Sequence, residues 1–310
     1  MEVSAFAPFA SPVILFFLLG LLASALRSDL AIPEAIAKGM SLYLMAAIGL
    51  KGGVAVAKSG VDAEVAVALL AGLTLSFTIP IIAYAALRTF ARLDQVNAGA
   101  VAAHYGSVSV VTFVTANELL GATGLAVAGF MVAVLAVMET PAILSGLMLA
   151  RRGSSSSDQS KVELLREVFL NASVVLLLGS FAIGLIAGPK GYAEVQPLFE
   201  SGFKGVLCLF LLDMGLIAAR RLIDARALNL RLVTLAIAFP LFNGTLGVIV
   251  GNLIGLDTAT AASLGVLCAS ASYIAVPAAM RMALPQADPG IYLTMSLSIT
   301  FPFNILIGIS

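Results

Sequence analysis

Apolar stretches recur along this chain at lengths that fit a lipid bilayer. A membrane-spanning helix needs about 20 apolar residues, and a window of that length predicts ten helices. Five precede residue 151: Ser11–Leu26, Glu34–Ala57, Glu64–Phe90, Asp94–Glu118 and Gly121–Ala150. Five follow: Glu167–Ala187, Gln196–Arg220, Ala227–Ile254, Thr258–Met282 and Asp288–Ile309. The pattern predicts an all-α polytopic membrane protein.

One clearly polar stretch interrupts this pattern. It runs from Arg151 to Lys161 and includes four consecutive serines. Such a composition is typical of a flexible, solvated linker. We therefore divide the chain into a first half, residues 1–150, a linker, residues 151–166, and a second half, residues 167–310.

The two halves share short motifs in the same order. Lys38-Gly39 and Gly49-Leu50 recur as Lys204-Gly205 and Gly215-Leu216, and the same spacing lays His104–Ser109 over Ser270–Ala275. Because each half has an odd number of predicted spans, the second copy must insert with the opposite orientation. This predicts two inverted five-helix repeats whose discontinuous fourth helices cross near the midplane, as in secondary transporters.

Composition and charge narrow the class further. The chain is 60% hydrophobic and only 11% charged, with no net charge, whereas a soluble domain is about 25% charged. A soluble fold and a nucleic-acid partner are therefore excluded. With the linker in the cytoplasm, thirteen of the seventeen Lys and Arg residues lie on that side. The positive-inside rule then predicts a multi-pass protein of the plasma (inner) membrane, with both termini outside.

Two apolar spans contain residues that disfavour a continuous helix. Ala102–Thr115 includes Gly106, whose missing β-carbon would let the backbone leave the helix. Cys268–Met280 includes Pro277, which removes a backbone donor. A broken membrane helix exposes amides with partial positive charge, which favour a small anion. The predicted substrate-binding residues are Gly106, Ser107, Ser109, Ser270, Ala271 and Ser272. The alternative is that these serines only bond their own backbone or tighten packing.

Acidic side chains inside spans are costly and usually mark ion or proton paths. Glu139 and Asp213 are such residues. Glu139 could bind a coupling cation, with Thr140 and Asn304 as neutral oxygen donors, or make a structural hydrogen bond. The single histidine, His104, could gate, sense pH or contact substrate, or could simply pack. No acid accompanies His104 and Ser107, so a hydrolytic enzyme is not indicated.

Several of these motifs, taken together in order, carry a family resemblance. They are Ile32–Ile36, Ile48–Gly53, Met138–Pro141, Ala269–Pro277 and the stretch from Arg281 through Pro289 to Tyr292. On these residues the chain resembles the cyanobacterial-type sodium-dependent bicarbonate permease family, as a divergent bacterial member. The resemblance covers nearly the whole length.

The resemblance implies a ten-helix fold divided into a core and a gate domain. It implies an anion at Gly106–Ser109 and Ser270–Ser272 with sodium close by, for which Thr112 and Tyr273 join Glu139 and Thr140 as candidate ligands. His104, Tyr105 and Pro277 are candidate gating residues. Family members are trimers regulated by a small cytoplasmic PII-like protein, so the resemblance implies a homotrimer with such a partner. It implies no cofactor beyond sodium as the coupling ion and no other metal.

The leading hypothesis is a secondary active transporter of a small monovalent anion, as a sodium-coupled bicarbonate symporter. One alternative is a sodium- or proton-coupled carrier of another small carboxylate, with Glu139 or His104 as the proton carrier. Another is a non-transporting membrane sensor. If the break at Gly106 needs no side chain, Gly106→Val should abolish uptake and leave the fold largely intact.

Overall fold

A computed structural model describes residues 11–60, 62–152, 172–224 and 229–309. Every regular element within these ranges is a helix, and no strand occurs among them. This confirms the predicted all-α class. The predicted linker lies outside the described residues from residue 153 onward, as do the predicted helix starts at Glu167 and Ala227.

The helices follow the predicted order, with differences at their ends. The first half contains α1 Pro12–Ala25, α2 Glu34–Ser59, α3 Ala63–Thr89, α4 Gln95–Gly106, α5 Val110–Ala122 and α6 Met131–Ala150. The second half contains α7 Ala172–Gln196, α8 Phe203–Asp224, α9 Leu230–Leu253, α10 Thr258–Ala269, α11 Ala275–Ala283 and α12 Pro289–Gly308. Helix α12 alternates between α and π turns, with π turns at Thr294–Thr300 and Asn304–Gly308.

Seven helical stretches among the described residues are long and apolar enough to cross a membrane. Two shorter apolar helices, α1 and α10, fall below that length. One of the seven stretches, Val175–Leu222, has 48 residues; as a single straight helix it would measure about 70 Å, more than twice the hydrocarbon core. The chain instead turns at Gly188, where φ is +60°, and again through the π turn Pro197–Ser201. The loop predicted between the sixth and seventh predicted helices, residues 188–195, is therefore largely helical.

The first two helices of each half pack on the other half. Helix α1 lies against α8, and α2 lies against α7. Both contacts bring backbones together through glycine. A β-carbon on Gly20 would collide with the carbonyl of Leu212, and one on Gly184 would collide with the carbonyl of Leu50. We call α1, α2, α7 and α8 the paired bundle.

The remaining helices form a second group, the crossing bundle, which consists of α3–α6 and α9–α12. Within it α3, α4 and α6 pack on one another, and α9 packs on α10. The broken spans α4–α5 and α10–α11 lie inside this bundle. In the first of them, Gln95–Ala122, 94% of the most apolar 18-residue stretch is buried. The crossing bundle thus shields two interrupted helices from lipid, as interrupted backbone at membrane depth requires.

Candidate functional site

Both predicted interruptions are present, and they have the same local geometry. Helix α4 ends at Gly106, and Ser107 then adopts an extended conformation with φ −84° and ψ 172°. Helix α10 ends at Ala269, and Ser270 follows with φ −79° and ψ 162°. The chain resumes as α5 at Val110 and as α11 at Ala275. Each broken span also begins with an aspartate cap, Asp94 for α4 and Asp257 for α10.

The two interruptions are joined by hydrogen bonds. The amide of Ser272 donates to the carbonyl of His104 at 2.9 Å. The amide of Ser109 donates to Oγ of Ser270 at 2.9 Å, and that hydroxyl donates to the carbonyl of Leu267 at 2.8 Å. The first link joins the two backbones directly, and the second passes through the Ser270 hydroxyl. The backbone groups released by the breaks are in this way largely satisfied within the protein.

This geometry corrects the predicted alignment of the repeats. The helix ends match Ser107 with Ser270, and therefore Ser109 with Ser272. The sequence overlay had instead placed Ser270 over His104, three residues away. Likewise the contacts of Gly215 with the backbone of Phe17 and Leu21 match those of Gly53 with Phe181 and Leu185, so Gly53 and not Gly49 is its counterpart.

Gly106 is a packing position. It is the last residue of α4, its φ is not positive, and a β-carbon there would collide with the ring of Pro80 on α3. The interpretation that Gly106 frees the backbone is therefore wrong. The related expectation that Gly106→Val would leave the fold largely intact is also wrong, because a branched side chain has no space beside Pro80.

The two prolines do not make the breaks. Pro277 lies in the first turn of α11, after the interruption at Ser270–Ile274. Its missing N–H is tolerated there because the first amides of a helix have no intrahelical acceptor. Pro141 lies within α6, which continues from Met131 to Ala150. Glu139 therefore stands on an uninterrupted helix, contrary to the possible second break considered beside it.

A small cavity of about 20 Å³ lies where the interruptions meet the paired bundle. We call it the crossover cavity. Its polar lining comes from Ser109, Ser272, Tyr273 and Glu139 of the crossing bundle and Ser41 of α2. Leu44 and Met45 of α2 complete the wall facing the breaks. A cavity of this size holds about one water molecule.

One polar group of this lining is buried without a partner. Oε2 of Glu139 has no hydrogen-bond partner among the described residues, whereas the Tyr273 hydroxyl lies against the side chain of Ser109. Glu139 is 2% exposed and Tyr273 is 8% exposed. A buried polar group left unpaired costs about 1–3 kcal/mol, and more when it is charged. The Glu139 carboxyl is thus available to a bound ion or solute.

The lining separates the predicted anion residues into two sets. Ser109 and Ser272 line the crossover cavity, while Gly106, Ser107, Ser270 and Ala271 do not. Ser270 is fully engaged in the hydrogen bonds that join the breaks. Ser107 is 1% exposed and its hydroxyl has no partner in the described part of the chain.

The predicted cation residues also separate. Glu139 and Tyr273 line the cavity, whereas Thr112 and Thr140 do not. The Thr112 hydroxyl donates to Oγ of Ser109 at 3.0 Å, so it orients a lining residue. Asn304 uses its side-chain amide to cap the carbonyl of Ala269 at 2.9 Å.

Two of the proposed gating residues point away from the cavity. The His104 ring stacks on Tyr292 with centroids 4.6 Å apart, and its Nδ1 donates to the carbonyl of Ala100 at 2.7 Å. Tyr105 donates its hydroxyl to Oγ1 of Thr300 at 2.6 Å. Neither side chain is in the lining. In this conformation both anchor α4 to α12, and His104 reaches the crossing through its backbone carbonyl.

Sequence reasoning missed the contribution of α2. Ser41, Leu44 and Met45 are spaced as one face of a helix, and that face closes the cavity. A lone serine in an apolar helix gives little signal by itself. The predicted contact between two bundles would have been needed to single it out.

The arrangement combines two interrupted membrane helices, freed amides and a buried carboxyl. Among the described residues no three His, Cys, Asp or Glu side chains come together as a metal centre. Compared with curated proteins, the chain has no match. Residues 12–310 match the family model of the Na⁺-dependent bicarbonate transporter superfamily. Since this match spans almost the whole chain, the protein belongs to the Na⁺-dependent bicarbonate transporter superfamily.

Proposed function

We propose that the protein is a secondary active transporter that couples sodium to the uptake of a small monovalent anion, with bicarbonate as the first candidate. The observation that carries this proposal is the unpartnered buried carboxyl of Glu139, which lines the crossover cavity with Tyr273 beside two interrupted helices. Family membership supplies the ion and the substrate class.

The anion would bind to the start of α5. The amides of Val110 and Val111 precede the first intrahelical hydrogen bond, and both residues line the crossover cavity. Such amides carry partial positive charge and recognise anions. The Ser272 hydroxyl adds a donor, because in its one contact its oxygen accepts from the amide of Val276 at 3.5 Å and its proton is left unused. No Lys or Arg lines this cavity, so a weakly charged anion suits it better than a multivalent one.

The cation would bind at Glu139. A carboxylate with a free oxygen in a buried site requires a positive partner or a proton. Tyr273 offers a neutral oxygen in the same cavity. Sodium at this position would also neutralise the carboxylate that otherwise repels the anion. This mutual dependence gives a physical reason for coupled transport.

The size of the cavity supports alternating access. It holds about one water molecule, whereas bicarbonate has four heavy atoms. One wall belongs to α2 of the paired bundle and the other to the crossing bundle. We propose that displacement of one bundle against the other opens the cavity, first to one side of the membrane and then to the other.

We also propose the ten-span inverted repeat, counting α4–α5 and α10–α11 as one span each. A twofold axis relating the two halves would carry α1 onto α7 and α2 onto α8. Such an axis would turn the contact of α1 with α8 into the contact of α7 with α2, and both contacts are present. Along the contact between α2 and α7, the residue numbers of both helices increase in the same direction. Gly49 lies near Leu177, and Gly53 lies near Leu185. Helix α7 therefore runs parallel to α2. Because consecutive spans run in opposite directions, α7 opposes α1, its counterpart in the other half.

The remaining expectations follow from charge bias and family. We propose the inner membrane, a cytoplasmic linker and external termini on the distribution of Lys and Arg. A homotrimer and a PII-like regulator rest on the family resemblance. The mass of the purified protein in detergent or nanodiscs tests the first of these.

The decisive experiment is uptake of labelled bicarbonate into proteoliposomes at mildly alkaline pH, with and without an inward sodium gradient. Sodium-dependent accumulation is expected, and Glu139→Gln should raise the sodium concentration needed for half-maximal uptake. Protein-free liposomes control for permeation of carbon dioxide. Absence of accumulation by correctly folded protein would contradict the proposal.

The unpartnered carboxyl of Glu139 also favours a second candidate, a proton-coupled carrier of another small carboxylate. Imposing a pH gradient without sodium distinguishes the two, because only a proton-coupled carrier would then accumulate substrate. Saturable binding with no uptake under either gradient would indicate the non-transporting sensor instead.

A further inference from the structure

A second cavity, of about 330 Å³, lies further along α2 than the crossover cavity, towards the C-terminal end of that helix. We call it the vestibule. Its walls come from α2, α5, the segment 125–132 and Phe203 at the start of α8. The charged side chains in its lining are Lys51 and Glu118. The charge bias places this end of the molecule outside the cell.

The two charges do not neutralise each other. Glu118 forms an ion pair with Lys204, with Oε2 and Nζ 2.9 Å apart. Lys51 instead has its ammonium 5.0 Å from the centroid of the Phe203 ring. No carboxylate in the described part of the chain pairs with Lys51. Once Glu118 is matched by Lys204, the vestibule keeps one uncompensated positive charge.

The vestibule leads towards the crossover cavity. On α2, the inner cavity is lined by Ser41, Leu44 and Met45, and the vestibule by Ile48, Lys51, Gly52 and Ala55. On α5, the inner cavity is lined by Val110 and Val111, and the vestibule by Phe113, Val114, Asn117 and Glu118. The nearest lining residues of the two cavities are three apart on α2 and two apart on α5, about one helical turn or less. Ile48, Phe113 and Val114 are buried at this level and form an apolar partition.

We infer that the vestibule is a second anion-binding site, in which the Lys51 ammonium attracts a small inorganic anion before it reaches the crossover cavity. A cation inside a predicted span is costly unless it has a function or a partner. A single positive charge within low-dielectric walls raises the local concentration of anions. The ion pair of Glu118 with Lys204 keeps a carboxylate in the wall from repelling that anion. The choice of anion rests on the proposed function, but the binding itself does not require transport.

Gly121 offers a reporter for this charge. It lines the vestibule, is exposed, and a β-carbon there would meet nothing within 4 Å. Gly121→Cys should therefore fold normally and place a thiol in the cavity. The native cysteines, Cys208 and Cys268, are buried and give a low background. The measurement is the labelling rate of this variant with anionic and cationic thiol reagents of matched size.

The anionic reagent should react faster, and Lys51→Met should lower the ratio of anionic to cationic rates by about three- to tenfold. Lys58→Met is the matched control, because Lys58 lies on the same helix but outside the lining; it should change the ratio little. Bicarbonate should slow labelling by the anionic reagent in the parent variant and not after Lys51→Met. An unchanged ratio in Lys51→Met would overturn the inference.

Uptake separates this inference from the proposed function. Without the reporter mutation, Lys51→Met should raise KM for bicarbonate several-fold and leave kcat nearly unchanged, and Lys51→Arg should retain the parent KM. Normal uptake with an unchanged KM and labelling ratio would remove the vestibule site and leave the transporter. Charge-dependent, bicarbonate-sensitive labelling without uptake would support the site and remove the proposed transport.

Discussion

Replacing Ser270 by alanine tests whether its hydroxyl joins the two interrupted helices. This hydroxyl accepts from the amide of Ser109 at 2.9 Å and donates to the carbonyl of Leu267 at 2.8 Å. Ser107 is its counterpart in the other break, yet the Ser107 hydroxyl has no partner among the described residues. The two positions are therefore a matched pair that differs in hydrogen bonding.

The loss in Ser270→Ala falls mainly on Ser109. The Leu267 carbonyl keeps a second contact with the amide of Ser270 at 3.3 Å, whereas the Ser109 amide loses its acceptor in a buried site. An unpaired buried amide costs about 1–3 kcal/mol, and hydrogen bonds measured in membrane proteins reach about 1.7 kcal/mol. We expect Ser270→Ala to lower the free energy of unfolding by about 1–2 kcal/mol. Ser107→Ala should change it by less than about 0.5 kcal/mol, since no hydrogen bond is lost.

Reversible unfolding in mixed micelles of mild detergent and dodecyl sulfate measures this difference. The chain contains no tryptophan, so helix content by circular dichroism is the appropriate signal. Equal losses in the two variants, or no loss in Ser270→Ala, would refute the assignment of Ser270 as the link between the breaks. Uptake by Ser107→Ala then shows whether the unpartnered hydroxyl contacts substrate.

Three further predictions concern the bundle contact and the crossover cavity. Gly184→Val should cost about 1–3 kcal/mol by the same unfolding assay because its side chain meets the α2 backbone, while Gly39→Ala, with open space around it, should be neutral or stabilising. Glu139→Gln should raise the half-saturation concentration for sodium by about tenfold or more, equivalent to about 1.4 kcal/mol; unchanged sodium dependence in uptake would place the cation elsewhere. Ser272→Ala and Tyr273→Phe should each raise the half-saturation concentration for the transported ions about two- to tenfold, the range for one hydrogen bond, with unaltered unfolding as the control.

The positions of the interrupted helices could be predicted, although the two residues first held responsible, Gly106 and Pro277, do not make the breaks. The clusters at Ser107–Ser109 and Ser270–Ser272 mark both breaks within a residue or two, because serines in a long apolar stretch compete locally for backbone hydrogen bonds. The helical class follows equally directly, since lipid leaves no other way to satisfy the backbone of a single span. These inferences need the chain alone and no knowledge of its packing.

The roles of individual residues depended on neighbours from distant parts of the chain. Gly106 looks like a flexible point in the sequence, but Pro80 on another helix explains it as a packing residue. Ser107 and Ser270 are chemically identical, and only the position of the Ser109 amide distinguishes them. The overlay of the two halves was three residues off because short apolar motifs recur by composition, whereas the helix ends match Ser107 with Ser270.

The same packing suggests which part of the protein moves. In the paired bundle, glycines bring α1 onto α8 and α2 onto α7 at backbone distance. Sliding along such contacts would bring backbone atoms into collision, so this bundle should move as one body. The crossover cavity and the vestibule both lie between α2 and α5. Side chains of the two helices face each other across these cavities. Motion at that boundary would open the proposed ion site and change the vestibule together, which would let arrival of the anion and release of the cation occur in one step.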